Sequence, residues 1–203
     1  MADLPIDLGD GLDDRLARVL DVEAKIPRAL DALGPLAGRD VLLLDGDDGI
    51  RARQLSELGA RVTFAATDGS ARIDAPDAAS DLVVSLWDAF RGTTPAEIAE
   101  ATRVLRSGGR LLVALDYGRD DVSRLRGDLP EYGLLSRRDG PLLRAGFKIR
   151  VVHCFWTFGS LGEAGEFLAD AFGELGREVA AGMKRPRLSY NVAIYHRTMR
   201  PAG

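Results

Sequence analysis

The chain opens with helical hydrophobic periodicity. Aliphatic side chains recur every three or four residues between Leu12 and Leu33, which is the spacing of one face of an α-helix. Pro27 lies inside this stretch, and an interior proline removes a hydrogen bond and clashes with the preceding turn. We therefore expect the helix to be split at Pro27 and to end at Gly34. Residues 1–38 are predicted to form a helical lead-in.

From residue 41 onward, short apolar runs alternate with helical patterns. The run at 41–44 is continuous, which is typical of a parallel strand buried on both faces. Further strands are predicted at 61–66, 82–86, 110–116, 147–158 and 188–196. The alternation of strands and helices predicts an α/β domain over residues 39–203, with a doubly wound, mostly parallel sheet covered by helices on both faces.

The helices between these strands carry clear terminal signals. One is predicted at 50–58 with Gly59 as its C-terminal cap, and one begins behind Thr94 with a proline and a capping-box glutamate. A third begins behind Ser160, and we expect one continuous face to pack inward along it, formed by Leu168, Phe172, Leu175 and Val179.

Composition and charge exclude several classes of protein. The 203 residues suit one domain, and the net charge of −4 disfavours duplex nucleic acid as a partner. No apolar run approaches the ~18 residues of a membrane span, and the first residues lack a signal-peptide pattern. Cys154, the single cysteine, has no metal-ligand spacing to other residues. We expect a cytoplasmic protein without a metal, for which a homo-oligomer remains open.

Three segments resemble the class I S-adenosylmethionine (SAM)-dependent methyltransferases. Residues 103–113 read RVLRSGGRLLV, similar to the family's helix, glycine turn and following strand, and Gly49 is followed ten residues later by Gly59. Residues 76–85 are similar to the lead into an inner strand. The resemblance covers about residues 40–116. It implies a Rossmann-like fold with an antiparallel last strand, SAM as cofactor and a small-molecule methyl acceptor.

The cofactor motif departs from the family pattern. The family has two hydrophobic residues, an acid, a hydrophobic residue and G-x-G-x-G, whereas residues 41–49 here read VLLLDGDDG. Two glycine positions are Asp45 and Asp47, Gly49 stands in place, and Gly46 is one position late. The ribose-binding carboxylate of the family falls on Ala66 here.

A deletion follows this motif. Asp68 lies two residues beyond the ribose position, and either Asp68 or Asp74 could supply a carboxylate at the adenine edge. Only twelve residues separate Asp68 from Asp81. That is too short for the helix and strand normally found there. The sequence therefore predicts a sheet that lacks one strand and one helix.

The 45–49 loop is the main candidate for ligand binding, since ligands of open α/β sheets bind where strands end. Its three carboxylates would repel a pyrophosphate, which disfavours NAD and FAD, and they suit the cationic sulfonium of SAM. The alternative is that Asp47 and Asp48 only cap the next helix. The predicted cofactor residues are Asp45, Gly46, Asp47, Gly49 and Asp68.

Residues at the next strand ends fall on the substrate side of the family's fold. These are Trp87 and Asp88 after one strand and Asp116 and Tyr117 after another. Asp88 is the candidate base, because methyl transfer needs alignment and, for a proton-bearing acceptor, a base. The alternative is that these residues cap loops or face solvent.

Two further features have no assigned role. Phe155, Trp156 and Phe158 could wall a pocket, although aromatic residues on strands usually belong to the core. A basic cluster surrounds Pro186 and could attract an acidic ligand, with a solvated surface turn as the default. Its members are Lys184, Arg185 and Arg187.

Three functional hypotheses remain open. The first is a SAM-dependent methyltransferase acting on a small molecule, and the second is a catalytically silent binding or assembly protein with the same fold. The third rests on residues 42–47, which also resemble the start of haloacid-dehalogenase-type phosphatases, with Asp45 as nucleophile and Asp47 as general acid. The third also needs a lysine against the phosphate, and the lysines are Lys25, Lys148 and Lys184.

Overall fold

A six-stranded mixed sheet organises the computed structural model, which describes residues 4–9, 11–67 and 71–199. The strands are β1 (Asp40–Leu44), β2 (Arg61–Ala65), β3 (Ser80–Leu86), β4 (Leu105–Asp116), β5 (Lys148–Thr157) and β6 (Arg187–Thr198). The helices are α1 (Leu12–Val19), α2 (Lys25–Leu33), α3 (Ile50–Glu57), α4 (Pro95–Val104), α5 (Asp121–Leu125), α6 (Glu131–Leu135), α7 (Pro141–Arg144) and α8 (Leu161–Gly182).

The strand order is β2-β1-β3-β4-β6-β5. The strands β2, β1, β3 and β4 pair in parallel, and β6 pairs antiparallel with both β4 and β5. Helices cover both faces: α1, α2, α3 and α8 contribute to one hydrophobic core, and α4, α6 and α7 contribute to the other. The predicted doubly wound, mostly parallel sheet with an antiparallel last strand is confirmed.

The sheet ends at β2, as the deletion predicts. In the described ranges, the connection from β2 to β3 contains an isolated bridge between Thr67 and Ile73 and no further strand. Arg103 of α4 holds this connection by donating to the carbonyl oxygens of Ile73 and Ala75 at 3.0 and 2.8 Å. The connection therefore turns under α4 instead of extending the sheet.

The helical lead-in is broken, but not at Pro27. The break lies at residues 20–24, where Leu20 pairs with Trp156 of β5 and the Asp21 carboxylate accepts from the N–H groups of Lys25 and Ile26 at 2.9 and 2.7 Å. Pro27 lies in the first turn of α2, where a missing N–H group costs no helical hydrogen bond. The predicted split at Pro27 is wrong because Asp21 starts a new helix before it.

The last helix folds back on itself. Gly173 has non-helical dihedral angles (φ 60°, ψ −130°) that divide α8 into two segments. The segments approach closely at Gly176, where a Cβ atom would lie 1.8 Å from the carbonyl oxygen of Leu168. Leu168 is buried, but Leu175 is 48% exposed. The predicted inward face is therefore wrong at Leu175, whereas Phe172 and Val179 pack against the core as expected.

We expect Gly176→Ala to lower the free energy of unfolding by about 2 kcal/mol or more, because backbone would have to move to admit the methyl group. Gly182→Ala is the matched control, since a Cβ there meets nothing within 4 Å, and it should leave stability unchanged or raise it slightly. Urea denaturation followed by circular dichroism measures both. Equal stability of the two variants would contradict the packing of the two segments.

Glu97 ties α4 to the segment that follows β3. Its carboxylate accepts from the N–H groups of Arg91, Thr93 and Thr94 at 2.9–3.0 Å, and the Thr94 hydroxyl completes the predicted capping box. Burial works against ionisation, but these hydrogen bonds outweigh it and lower the pKa of Glu97. The capping box predicted at Thr94 is confirmed.

We expect Glu97→Gln to cost about 2 kcal/mol at neutral pH, because hydrogen bonds to a charged acceptor are lost. A lowered pKa stabilises the fold above the unfolded-state pKa and stops doing so as pH falls through the folded-state pKa. The difference from the wild type should therefore shrink below about pH 4. Denaturation at several pH values measures it, with the exposed Glu57→Gln as control. A pH-independent difference would contradict the ionised state of Glu97.

Candidate functional site

The carboxyl ends of β1, β3 and β4 meet at one edge of the sheet because these strands are parallel. Ligands of open α/β sheets bind at this edge. The edge carries the 45–49 loop after β1, the pair Trp87 and Asp88 after β3, and the pair Asp116 and Tyr117 after β4.

Asp45 joins the ends of β1 and β2. Its carboxylate accepts from the N–H group and the hydroxyl of Thr67 at 2.8 and 2.5 Å, and its own N–H donates to the carbonyl oxygen of Ala65 at 2.9 Å. The backbone at Asp45 has φ 47°, a conformation that aspartate tolerates better than bulky residues. The side chain at this glycine position of the family motif is therefore held in place.

Asp88 contacts Asp45 across the gap between β3 and β1. Asp88 Oδ1 accepts from the N–H of Ala89 at 2.6 Å, whereas Oδ2 is buried and receives no hydrogen bond from a described N–H or hydroxyl group. Burial, followed by the hydrogen bond and negative charge of Asp45, raises the pKa of Asp88 to about 6. Burial also opposes ionisation of Asp45, but hydrogen bonds from Asp88 and Thr67 outweigh it and lower the pKa of Asp45.

The two carboxyl groups therefore act as a pair. Below about pH 6, Asp88 keeps its proton and donates a hydrogen bond to the ionised Asp45. Above that pH, Asp88 is ionised as well. Like charges that share a site cannot ionise equally. A carboxyl group whose pKa lies near neutrality is suited to act as a general base.

The rest of the loop stays close to β1. A Cβ atom at Gly46 would lie 2.6 Å from the Leu43 side chain, so the close return of the chain depends on glycine there. Gly49 is the N-cap of α3, and no side chain caps this helix. The interpretation that Asp47 and Asp48 cap α3 is therefore wrong, and both side chains are exposed.

A cleft of about 440 Å³ opens between this loop and α1. This volume lies in the range of ~300–1,000 Å³ that is usual for small-molecule sites. Its charged lining includes carboxylates from both sides, and the first turn of α3 forms one wall. The lining side chains that concern the site are Asp13, Asp14, Asp47, Ile50 and Arg53.

Arg51 is a buried cation beneath the loop, and the sequence pattern gives no sign of it. Its side chain is 2% exposed, Nη1 donates to Gln54 Oε1 at 2.8 Å, and the same atom lies 3.9 Å from Asp21 Oδ2. The guanidinium lies 5.9 Å from the centre of the Trp87 ring. Nothing local in the sequence distinguishes Arg51 from the exposed Arg53 two residues later.

Trp87 and Asp116 lie together at the ends of β3 and β4. Trp87 has φ 50°, an unfavourable conformation for a bulky residue, and such backbone strain clusters at functional sites. Its Nε1 donates to Asp116 Oδ1 at 3.1 Å, and Asp116 also accepts from Arg126 and the Tyr190 hydroxyl. Burial raises the pKa of Asp116 in spite of these donors.

A small cavity of about 150 Å³ lies beside this group, lined by Trp87, Asp116, Arg126 and Tyr132 among others. The Tyr132 hydroxyl is buried and has no hydrogen-bond partner among the described residues. Burial raises the pKa of Tyr132 to about 12, so the hydroxyl stays protonated and can donate. Arg126 and Tyr132 come from the segment after β4 and Tyr190 from β6, and short-range sequence patterns do not reveal them.

One predicted residue does not join these groups. Tyr117 packs against the core of the opposite sheet face, with the Arg119 guanidinium 5.7 Å from its ring centre. Asp68 lies outside the described residues. The candidate site thus contains two groups of contacts, Asp45 with Thr67 and Asp88, and Trp87 with Asp116.

The phosphatase hypothesis finds no support at Asp45. Its carboxylate is held by Thr67, and Lys25 pairs with Glu23 and with the carbonyl oxygen of His153 instead. Within the described ranges, no three His, Cys, Asp or Glu side chains converge in a way that could hold a metal ion. None of the helices in those ranges combines the length and apolar character that crossing a membrane requires.

No family model matches this sequence, and no curated protein matches it. Solved structures do. A SAM-dependent methyltransferase from Aquifex aeolicus aligns with a TM-score of 0.50 at 17% identity, covering 96% of this chain and 99% of that one. The proposed methyltransferase that forms a complex with the Haloferax volcanii Trm112 methyltransferase activator aligns with a TM-score of 0.55 at 16% identity, covering 95% and 93%.

A proposed type II methyltransferase from Anaeromyxobacter dehalogenans aligns with a TM-score of 0.52 at 19% identity, covering 87% of this chain and 96% of that one. At such identities the likeness shows the fold and not the reaction. Together with the parallel strands and the antiparallel β6, these alignments show that the chain has the fold of the class I SAM-dependent methyltransferases.

Proposed function

We propose that the protein binds SAM at the carboxyl edge of its sheet and transfers the methyl group to a small molecule, with Asp88 as the base. The observation that carries this proposal is the contact of Asp88 with Asp45, which gives Asp88 a pKa of about 6 beside the glycine-containing loop. Carboxyl groups with strongly shifted pKa values cluster at functional sites, which supports a role for Asp88 in proton transfer.

The residues present fit the chemistry of SAM. The cofactor carries a sulfonium cation, an ammonium group and a carboxylate. Exposed Asp47 lies on the loop beside Gly49, and the uncapped first turn of α3 presents N–H groups that favour a carboxylate. Gly46 lets the loop lie close to β1. We assign Asp45, Gly46, Asp47 and Gly49 to the cofactor, with Asp68 as a candidate ligand at its adenine edge.

Bound SAM supplies an electrophilic methyl group, and the side chains of this protein supply alignment and proton transfer. Asp88, in its ionised form, is the group that accepts the acceptor's proton. Asp45 remains ionised because it accepts two hydrogen bonds from Thr67, and its negative charge favours the protonated form of Asp88. Trp87, held by Asp116, borders the small cavity in which we place the methyl acceptor, where Tyr132 can donate to it.

A catalytically silent binding protein is the second candidate. It is favoured by one specific observation: Asp45 fills a glycine position of the family motif, and Thr67 and Asp88 already occupy its carboxylate. A silent protein would keep the loop as a structural link between β1, β2 and β3. Cofactor binding distinguishes the two candidates.

We expect the purified protein to release or absorb heat on titration with SAM and with S-adenosylhomocysteine. SAM is cationic, whereas S-adenosylhomocysteine has a neutral sulfur. The double variant Asp47→Asn/Asp48→Asn should therefore bind SAM about tenfold more weakly and should lose less affinity for S-adenosylhomocysteine. The exposed pair Asp128→Asn/Asp139→Asn is the charge-matched control and should change neither. Absence of heat with both ligands at millimolar concentration overturns the proposal in favour of the silent protein.

We also expect Asp88 to titrate near pH 6 in the wild type. Asp45→Asn removes the neighbouring negative charge and should lower the pKa of Asp88 toward its ordinary range. Carbon-13 NMR of labelled aspartate carboxyl groups measures this without a substrate, and Asp47→Asn is the control. An unchanged titration of Asp88 in Asp45→Asn contradicts the pairing of the two carboxyl groups.

A further inference from the structure

A second cavity lies away from Asp45 and Asp88, where the ends of α8 and β5 meet the start of β6. Its volume is about 690 Å³. Its apolar wall includes Phe155 of β5 with Leu175 and Val179 from the second segment of α8. Leu175 is 48% exposed, because the turn at Gly173 directs this segment along the groove. Neighbouring strands lie ~4.8 Å apart, so β5 is roughly 14 Å from β3 and its Asp88.

The rim of this groove is basic. Lys184, Arg185 and Arg187 line it, and within the described residues none of their charged groups lies within 4.0 Å of a carboxylate. The Arg187 guanidinium lies 4.5 Å from the centre of the Phe155 ring, which brings a cation directly over the apolar wall. Phe155 and the basic cluster are therefore parts of one surface, whereas Trp156 and Phe158 lie in the core.

The acidic residues of the groove leave this rim positive. The Asp121 carboxylate accepts from the N–H and the hydroxyl of Ser189 at 2.9 and 2.6 Å and pairs with Arg124. Glu178 is the other acidic residue in the described lining. Three cations face one carboxylate whose charge is not engaged, so the groove attracts an anion at its rim and an apolar group along its wall.

We propose that this groove binds a small anionic amphiphile, a carboxylate that carries an apolar chain or ring. Arginine and lysine at the rim bind the carboxylate by charge-assisted hydrogen bonds. The apolar part covers Phe155, Leu175 and Val179, and burial of such surface contributes about 25 cal/mol per Å². This site is independent of the proposed methyl transfer, since it shares no residue with Asp45, Asp88 or the cavity at Tyr132.

The test is calorimetric titration of the full chain with three ligands that share a dodecyl chain, each kept below its micelle concentration. These are dodecanoate, dodecyltrimethylammonium and dodecyl maltoside. We expect dodecanoate to bind about tenfold more tightly than either of the others, and we expect its affinity to fall as salt is added. Equal binding of all three, or no binding of dodecanoate, overturns the proposal.

Two variants locate the site, and both change exposed side chains. Leu175→Asp places a carboxylate on the apolar wall, and Lys184→Glu/Arg185→Glu reverses the charge of the rim. Each change should weaken the binding of dodecanoate about tenfold or more. The matched controls are Leu134→Asp, which changes an equally exposed leucine (52%), and Arg137→Glu/Arg138→Glu, which reverses another exposed basic pair. The controls should bind dodecanoate like the wild type.

Light scattering and S-adenosylhomocysteine titration complete the test. A dimer that Leu175→Asp dissociates, while dodecanoate binds equally to every variant, would make the groove an interface between copies and overturn the proposal. Dodecanoate binding that the groove variants weaken supports it, whether or not S-adenosylhomocysteine binds. Failure of the methyltransferase proposal is therefore distinguishable from failure of this one.

Discussion

A buried positive charge constrains the whole region beneath the candidate cofactor loop. The Arg51 guanidinium lies in the core, 3.9 Å from Asp21 and 5.9 Å from the Trp87 ring centre. Burying a charge without a partner is costly, so the chain has to bring a carboxylate to it. Asp21 is one group that meets this need, and it reaches the core where the lead-in breaks between α1 and α2. The break, the start of α3 and the end of β3 are thus linked by one electrostatic requirement.

The same requirement connects packing to chemistry. Trp87 contacts Arg51 on one side and donates to Asp116 on the other, so the segment after β3 is held in the unfavourable backbone conformation seen at φ 50°. Asp88 follows Trp87 directly in the chain and interacts with Asp45. The raised pKa of Asp88 results from this placement together with burial. If Asp88 is the base of the proposed methyl transfer, this support keeps it in place, which matters because small displacements weaken catalysis strongly.

Local signals in the sequence predict local structure well. The capping box at Thr94, the glycine after α3 and the continuous apolar run of β1 each act within a few residues, and each appears in the structure as expected. The short link between Asp68 and Asp81 predicts the shortened sheet because chain length limits what can be built. By contrast, the pairing of Asp45 with Asp88 depends on strand order. The fold of α8 at Gly173 also escapes periodicity, since its apolar residues keep helical spacing across the turn.

The shortened sheet has one further consequence, at its outer edge. In a strand, successive residues direct their backbone groups to opposite sides. Arg61 and Ala65 bond toward the side of β1, so only Val62 and Phe64 of β2 present N–H and C=O groups outward. Long, flat, apolar edges invite pairing with other chains, whereas very short edges with a charged flank discourage it. The edge strand β2 has only two outward-facing residues, and Arg61 flanks them. The shortened sheet therefore does not offer a long edge for aggregation with other chains.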